Sequence, residues 1–353
     1  MKQLFLLFIT ISMFFNTNAE VVKKSYHNKY DTSKVNKISI NNSRGDIKVK
    51  AWKKNYIDVK VTISVSNSKR EKAKDIVDKI DIKIDSLNKI ISYETMFAEG
   101  FTFNKIVTGL FSSTKIKILY ELSVPENQKF DLINKKGDIT LSDSYKGIVN
   151  VNLSKGKLIL NKLNSKSKIN VSFGKVEINS ITECDCHFDN CNEVRIKEAK
   201  KMKISSNHSF MNIASCSNIQ ISSKRGDIYL GDVDKLRVKS SFTDYEIKDV
   251  SEALELDLFF GSANIRNINK MFSSVDIKTN RGKLGLTFQE GSTYDVYILH
   301  NKSTKLDLPS DMKLHKRKTA KKKTYISEGL YGKKNNFGSK VNIEAKSCKM
   351  YIQ

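Results

Sequence analysis

The sequence is poor in the residues that break regular structure or mark special classes of protein. Its 353 residues include only 2 prolines and 16 glycines, so neither a collagen-like chain nor a long disordered chain fits. The 5 cysteines are too few for a small fold held together by disulfides. Beyond the N-terminus there is no apolar run long enough to span a bilayer, which excludes a protein with several membrane-spanning helices. The chain is therefore expected to form one large or two medium globular domains.

Acidic residues are scarce relative to basic ones. The sequence has 38 Asp and Glu against 62 Lys and Arg, a net charge of +24, which by itself would favour a nucleic-acid partner. Met1–Ala19 argues against that partner, because an apolar run from Leu4 to Phe15 is followed by small and polar residues, as in a secretory signal peptide. A buried N-terminal strand is the alternative interpretation. We expect an exported protein (periplasmic, at the outer-membrane surface or extracellular) with no nucleic-acid partner and no transmembrane segment after signal cleavage.

A repeat of about 18 residues organises most of the chain. Each unit has a turn, a short apolar-x-apolar strand (strand A), a second turn and another such strand (strand B). Strand A is clearest at Gly137–Leu141, Gly156–Leu160, Gly174–Ile178, Gly226–Leu230 and Gly282–Leu286. Strand B lies between these copies, as in Val149–Val151 and Ile219–Ile221. This alternation indicates strands with one buried face, and units this small must stack on one another to form a core.

The pattern predicts an all-β fold, a parallel β-solenoid with two short strands in each coil of about 18 residues. An antiparallel sandwich also has short strands, but it has no reason to keep a constant spacing through about ten copies. One short helix is predicted near the N-terminus, where Ala73, Ile76, Val77 and Ile80 recur at helical spacing. The predicted organisation is a signal peptide at 1–19, then N-terminal strands, the helix and an aromatic loop at 20–130, then the repeat region at 131–353, which contains a Lys-rich loop at 311–324 and a C-terminal cap.

The segment that leads into the repeats is distinctive. A strand from Ile118 ends in Val124-Pro125, a short turn and strand follow, and Gly137-Asp138-Ile139 opens the first repeat. Together with the corners Ser43–Ile47 and Ser172–Gly174, this order resembles the bacterial putative-adhesin domain family of unknown function, over roughly Val35 to Ile352. The resemblance implies a β-solenoid-like fold and a location in the cell envelope. It implies no established reaction.

Three sequence patterns could indicate a chemical function: a cysteine cluster, two Arg-Gly-Asp triplets and a set of outward carboxylates. Each of them also has a purely structural interpretation. Cys184, Cys186, His187 and Cys191 superficially resemble a metal cluster, but Cys184 and Cys186 occupy inward strand positions, so we predict core thiols and no metal or cofactor. A disulfide and a metal site are the two alternatives. The expected Cα separation of Cys184 and Cys186, about 6–7 Å, is unfavourable for a disulfide. Cys216 and Cys348 are likewise expected as core or free thiols.

The two Arg-Gly-Asp triplets and the outward carboxylates are interpreted in the same way. Arg44–Asp46 and Arg225–Asp227 coincide with the Gly-Asp-Ile corner of the repeat, so a turn accounts for them better than integrin-type adhesion does. Asp185, Glu255 and Asp276 are candidates for a glycoside-cleaving pair, which we expect two or more coils apart. Because outward charges are also what a solvated sheet predicts, we expect no catalytic residues.

The strongest local charge feature is the Lys-rich loop, which we predict as a site for an anionic partner. Its basic residues are Lys313, Lys316, Arg317, Lys318, Lys321, Lys322 and Lys323. We hypothesise a non-enzymatic envelope protein, adhesin-like or structural, that binds an anionic polysaccharide, a lipid headgroup or an envelope protein. The alternatives are a polysaccharide-active enzyme on a β-helical fold and a periplasmic partner of a membrane signalling system.

Overall fold

Nearly all of the chain that the structure describes is β-strand. The computed structural model describes residues 19–101, 114–320, 323–332 and 338–353, and these contain 23 strands and one α-helix. Residues 1–18 of the predicted signal peptide, and Phe103 and Phe111 of the aromatic loop, lie outside the described residues. No helix within the described ranges is long and apolar enough to cross a membrane.

The elements follow one another without long interruptions. The N-terminal elements are β1 (Glu20–Asp31), a 3-10 turn (Thr32–Lys34), β2 (Lys37–Asn42), β3 (Asp46–Trp52), β4 (Tyr56–Asn67), α1 (Arg70–Asp78), β5 (Ile80–Leu87), β6 (Ile90–Phe97) and β7 (Lys115–Pro125). The central strands are β8 (Lys129–Asn134), β9 (Ile139–Tyr145), β10 (Val149–Ser154), β11 (Lys157–Ser172), β12 (Lys175–Asp189), β13 (Glu193–Asn207), β14 (Met211–Phe259) and β15 (Ser262–Ile268). The C-terminal strands are β16 (Ser274–Asn280), β17 (Lys283–Phe288), β18 (Tyr294–Asn301), β19 (Lys305–Asp307), β20 (Leu314–Lys318), β21 (Thr324–Tyr331), β22 (Lys340–Lys346) and β23 (Lys349–Ile352).

Strands pair with the equivalent strand of the next repeat. In the A strands Leu158 lies opposite Val176, and in the B strands Ile169 lies opposite Cys186, both in parallel pairs. These partners are 18 and 17 residues apart, so the predicted repeat and its parallel pairing are confirmed. The predicted short strands are joined into longer ones in β11 to β14, which continue through one or more corners of the repeat. The result is one large, mostly parallel sheet.

The A strands and the B strands form two stacks that share one core. Stack A comprises β3, β9, the A strands of β11 to β14, β15, β17, β23 and β19, and stack B comprises β2, β8, β10, the B strands of β11 to β14, β16, β22 and β18. Inward side chains of both stacks, such as Leu158 and Ile169, are buried in a single hydrophobic cluster. Each fully buried aliphatic side chain contributes about 1.5–3 kcal/mol, so stability comes from the stacking of coils.

Antiparallel strands and the predicted helix cover the N-terminal end. β4 pairs antiparallel with β1 and β7, and β5 pairs antiparallel with β6. Helix α1 confirms the helical spacing seen in the sequence, and it buries Ala73, Ile76 and Val77 against this end. β2 lies between β6 and β8, so stack B meets the antiparallel strands of this end at β6.

At the C-terminal end, the last two strands do not close the array as the sequence led us to expect. β22 lies between β16 and β18, where Ile343 is opposite both Ile277 and Ile298. β23 lies between β17 and β19, with Met350 opposite both Leu284 and Leu306. The final coil is therefore inserted between two earlier coils. Burial explains the insertion, since both β22 and β23 have apolar inward residues that need a covered neighbour on each side.

The corner that leads from each B strand to the next A strand is tight. A column of small residues lines it, and one member stacks on the next in successive coils. The column consists of Gly45, Gly137, Gly156, Gly174, Cys191, Ser209, Gly226, Thr243, Gly261, Gly282 and Cys348. A Cβ atom added to Gly282 would lie 1.9 Å from the carbonyl oxygen of Gly261, so stacked backbones limit the size of these residues. This column also accounts for two buried cysteines as small corner residues.

The inserted C-terminal coil gives a direct test of the topology. Replacing Ile343, which is 1% exposed, with alanine should lower the free energy of unfolding by about 2–5 kcal/mol, because it opens a cavity between two strands. The matched control Lys346→Ala removes an exposed side chain of the same strand and should change stability by less than about 0.5 kcal/mol. Denaturant unfolding measures both. Equal, small effects would mean that β22 is not enclosed by neighbouring strands.

Candidate anion-binding groove

The predicted Lys-rich loop forms an antiparallel hairpin at one end of stack B. β20 pairs with β21, which pairs with β18, so β20 is the outer strand of this hairpin. The described basic residues Lys313, Lys316, Arg317, Lys318 and Lys323 are all exposed. Lys321 and Lys322 lie outside the described residues. Charged side chains on an outer strand also protect its free edge from pairing with other chains.

Several of the hairpin's side chains already have partners. Arg317 Nε donates a hydrogen bond to Glu328 Oε1 at 3.1 Å, and Lys316 Nζ lies 4.9 Å from the ring centroid of Tyr325. Behind the hairpin, His300 stacks on Tyr325 with ring centroids 5.6 Å apart. Burial lowers the pKa of His300 below its usual value, and the charge of Lys316 lowers it further, so the imidazole is neutral at neutral pH.

A second row of side chains was not singled out from the sequence as a site. From Gly156 onward, the residue before each small corner residue has a positive φ, which directs its side chain away from the core. This outer column contains Lys155, Phe173, Asn190, His208, Arg225, Phe242, Phe260, Arg281 and Ser347. A positive φ is unusual for residues other than glycine, so its recurrence shows that the coil geometry imposes it. The corners at Phe173, Arg225 and Arg281 were visible in the sequence, but their alignment into a column was not.

Four consecutive members of the outer column form a stack. The rings of Phe242 and Phe260 are parallel within 5°, with centroids 5.2 Å apart. The guanidinium carbon of Arg281 lies 5.2 Å from the Phe260 centroid, and that of Arg225 lies 6.0 Å from the Phe242 centroid. Each arginine therefore makes a cation–π contact on an outer ring face. Because the stacked guanidinium has a preferred orientation, its N–H groups are available in a defined direction for a carboxylate or phosphate.

Beyond Arg281 the next corner residue is the small Ser347, and a groove of about 730 Å³ opens there. We call it the basic groove. Its walls carry Phe242, Phe260, Arg281, Lys283, Lys305 and Lys349. Asp244 is the one carboxylate among its lining residues, and its Oδ1 accepts the backbone N–H of Ser262 at 2.9 Å.

The three lysines of the basic groove occupy one register position on neighbouring strands. Lys349 lies directly opposite Lys283 on one side and Lys305 on the other. Adjacent strands are about 4.8 Å apart, so three positive charges stand in a row at that spacing. Like charges placed directly opposite one another on a sheet are destabilising.

Elsewhere on the outward surface, several cations of one coil lie beside carboxylates of a neighbouring coil. Lys157 Nζ lies 2.8 Å from Glu177 Oε2, and Arg237 Nε lies 2.6 Å from Glu255 Oε2. Within the described ranges, no carboxylate lies within 4.0 Å of the cationic groups of Arg281, Lys283, Lys305 or Lys349. The basic groove thus places three consecutive lysines and an arginine together without such partners.

The hairpin and the basic groove are neighbours. The backbone N–H of Lys302 donates to the carbonyl oxygen of Lys323 in the hairpin turn at 3.0 Å, and Ser303 lines the groove. Asn301 links the same region to the outer column, because its Nδ2 donates to Ser347 Oγ at 3.0 Å. The two basic features therefore belong to one face of the molecule.

The cysteines are structural, with one correction. Cys191, Cys216 and Cys348 are buried free thiols as predicted. Cys184 and Cys186 are joined as a disulfide, so the expectation of free thiols was wrong for this pair. Their Cα atoms are 5.8 Å apart, closer than a fully extended strand would place them and within the range that a disulfide spans. Burial raises the pKa of the Cys216 thiol to about 12 and also raises the pKa values of Cys191 and Cys348, which keeps these thiols protonated and unreactive.

Two of the three carboxylate candidates, Glu255 and Asp276, are closer together than the sequence suggested, whereas Asp185 lies more than two coils from them. Glu255 lies directly opposite Asp276 on the next coil, and the expectation that they stand two or more coils apart was wrong. A longer connection between these B strands increases their sequence separation without adding a coil. Asp276 Oδ1 accepts from Asn342 Nδ2 at 2.9 Å, and Glu255 is held by Arg237, so both are engaged as ordinary outward side chains. Among the described residues, no group of three or more His, Cys, Asp or Glu is arranged to hold a metal ion.

The Arg-Gly-Asp triplets have a structural explanation. Gly45 and Gly226 belong to the small corner column, with φ angles of +110° and +141°. Asp46 Oδ1 accepts the backbone N–H of Asp138 in the next coil at 3.1 Å, so this aspartate ties two coils together. Arg225 belongs to the stacked arginines and phenylalanines described above.

Comparison with known proteins finds similar solved structures that are named as adhesins. A putative adhesin from Parabacteroides merdae is 14% identical, covers 76% of this chain and 97% of its own, and has a TM-score of 0.33. A putative lipid-binding protein from Parabacteroides distasonis is 8% identical over 94% of this chain and 96% of its own, with a TM-score of 0.30. A putative cell adhesion protein from Clostridium sporogenes is 9% identical over 94% and 99%, with a TM-score of 0.19.

Two of these neighbours carry the adhesion label that the sequence resemblance gave, and the third is named for lipid binding. No family model matches the chain, and no curated protein matches it.

The corner explanation of the Arg-Gly-Asp triplets is testable at Gly226. A Cβ atom there would lie 2.3 Å from the carbonyl oxygen of Ser209, so Gly226→Ala should lower the free energy of unfolding by about 2 kcal/mol or more. Gly291 also has a positive φ, +79°, but nothing lies within 4 Å of its added Cβ, so Gly291→Ala should cost only about 1 kcal/mol. Denaturant unfolding of both variants measures the two losses of unfolding free energy. If the two substitutions cost the same, the close packing of successive corners is not what selects glycine at position 226.

Proposed function

We propose that the protein is a non-enzymatic interaction protein of the cell envelope whose basic groove binds an anionic partner. In this proposal the stacked coils form an elongated β-solenoid-like scaffold, and export places it in the periplasm, at the outer-membrane surface or outside the cell. The observation that carries the proposal is the row of lysines 283, 349 and 305 beside Arg281, which has no carboxylate partners among the described residues.

Electrostatics supports an anionic ligand at this place. A row of like charges without carboxylate partners costs free energy in the unbound protein. A bound anion would remove that cost and gain charge-assisted hydrogen bonds with Arg281, whose guanidinium is already oriented by Phe260. The hairpin residues predicted from the sequence, such as Lys313 and Lys318, extend the same basic face and would contribute longer-range attraction.

An enzymatic role finds less support in the geometry. A polysaccharide-cleaving site would need a concave strip with clustered carboxylates, and the basic groove has cations and stacked phenylalanines instead. The neighbouring pair Glu255 and Asp276 lies on an outward strand surface with both side chains engaged. A role as periplasmic partner of a membrane signalling system remains a separate prediction, for which co-purification with an inner-membrane protein is the expected sign.

The proposal predicts salt-dependent binding of anionic glycans. Replacing Arg281, Lys283, Lys305 and Lys349 together with glutamine should weaken binding of a polygalacturonate probe by about tenfold or more at low salt, since several ion pairs are lost. Binding by the unchanged protein should itself weaken as salt is raised. A glycan array and titration calorimetry, each at low and high salt, measure these effects.

Two matched variants make the result specific to the groove. Lys157→Gln with Lys175→Gln removes cations that already have carboxylate partners and should leave binding within about twofold of the unchanged protein. Lys313→Gln with Lys318→Gln should have a smaller effect than the groove variant. The proposal fails if the unchanged protein binds no anionic glycan, polyphosphate or phosphatidylglycerol vesicle at either salt concentration, or if the control variants lose as much binding as the groove variant.

A further inference from the structure

The arrangement of the groove cations points to the shape of the ligand as well as its charge, and this inference rests on the proposed function. Lys283, Lys349 and Lys305 stand in single file along the direction in which the coils stack. From Lys283 to Lys305 the row covers two strand spacings, about 10 Å. A single phosphate or carboxylate reaches one or two of these side chains, whereas a chain with regularly spaced anions reaches all of them.

The aromatic residues beside the row do not offer free ring faces. Phe260 is covered by Phe242 on one side and by Arg281 on the other, and Phe242 is covered on its other face by Arg225. Stacking of a sugar ring on these phenylalanines would displace an arginine. The stack therefore serves to hold Arg281 in position, and recognition depends on anionic groups rather than on sugar faces.

The single-file arrangement of the lysines favours a linear chain over a membrane surface. The groove is shallow, about 730 Å³ in volume, and it crosses neighbouring strands at Lys283, Lys349 and Lys305. A planar array of lipid headgroups presents anions in two dimensions, whereas a chain lying along the stacking direction presents them in one row. In a polyuronate such as polygalacturonate each sugar carries one carboxylate, so the anions recur along the chain.

We infer that the basic groove binds a linear acidic polysaccharide lying along the stacking axis, with successive carboxylates on Lys283, Lys349 and Lys305 and one end anchored by Arg281. The affinity then depends on all three lysines together and not on any one of them. In the unbound protein, the positive charge of Lys349 is repelled by the lysines on both sides of it.

Oligogalacturonates of increasing length, from the monomer to the octamer, test the inference by calorimetry at constant concentration of carboxylate groups. Affinity should rise by about tenfold between the dimer and the tetramer and then level off, because the longer chains extend beyond the row. Lys305→Gln leaves the adjacent pair Lys283 and Lys349 in place, so it should remove most of that gain while leaving dimer binding nearly unchanged. In the absence of any ligand Lys349→Gln should have a higher Tm than the unchanged protein, and the paired control Lys175→Gln should not.

The outcomes separate this inference from the proposed function. If polygalacturonate binds but affinity per carboxylate does not depend on chain length, the linear arrangement is wrong while the anionic site stands. Tighter binding of polyphosphate of equal length, or binding only to vesicles that contain phosphatidylglycerol, would overturn the assignment to a polysaccharide. If none of these probes binds, the proposed function itself fails.

Discussion

Parallel pairing between equivalent strands of successive coils is the constraint on which the rest of the structure depends. It places each inward side chain on the same kind of side chain in the next coil, as with Leu158, Val176 and Val194, and so builds one continuous core. It also brings successive backbones close together at the corner, which is why glycine, serine, threonine and cysteine fill the small corner column. The same constraint gives the preceding residue its positive φ and aligns the outer column.

Strict register has an electrostatic consequence. Any charge on an outward position lies about 4.8 Å from the residue at the same position in the next coil, so charges must alternate or repel. Where Lys175 lies opposite Glu193 the charges alternate, and where Lys157 lies opposite Lys175 each lysine still reaches a carboxylate of a neighbouring coil. In the basic groove three consecutive lysines have no such partner among the described residues, so part of the net charge of +24 is concentrated there. This unpaired row is the physical basis for proposing an anionic ligand.

The strands and the helix could be predicted from the sequence because they follow local periodicity. The apolar positions Ile139, Leu158, Val176 and Val194 do lie opposite one another, and Ala73, Ile76 and Val77 do face inward from α1. The order of coils could not be predicted, because periodicity identifies a strand at Val341–Ala345 but does not say which neighbours it has.

The candidate site could be predicted only in part, because the sequence does not say which strands become neighbours. The Lys-rich segment was found because its residues are adjacent in sequence, whereas Lys283 and Lys349 come together only when the last coil inserts. The pairing of Cys184 with Cys186 could not be predicted, because a fully extended strand would hold their Cα atoms farther apart than the 5.8 Å in the structure.

Insertion of the last coil is the claim that joins the fold to the proposed site, and engineered cysteines test it most directly. With Lys283→Cys and Lys349→Cys the two Cα atoms should be one strand spacing apart, about 4.8 Å, which a disulfide can span. With Lys283→Cys and Lys305→Cys they should be about 10 Å apart, beyond the reach of a disulfide. Peptide mapping by mass spectrometry after mild oxidation should find the first crosslink and not the second. A crosslink between positions 283 and 305, with none between 283 and 349, would contradict both the inserted coil and the lysine row built on it.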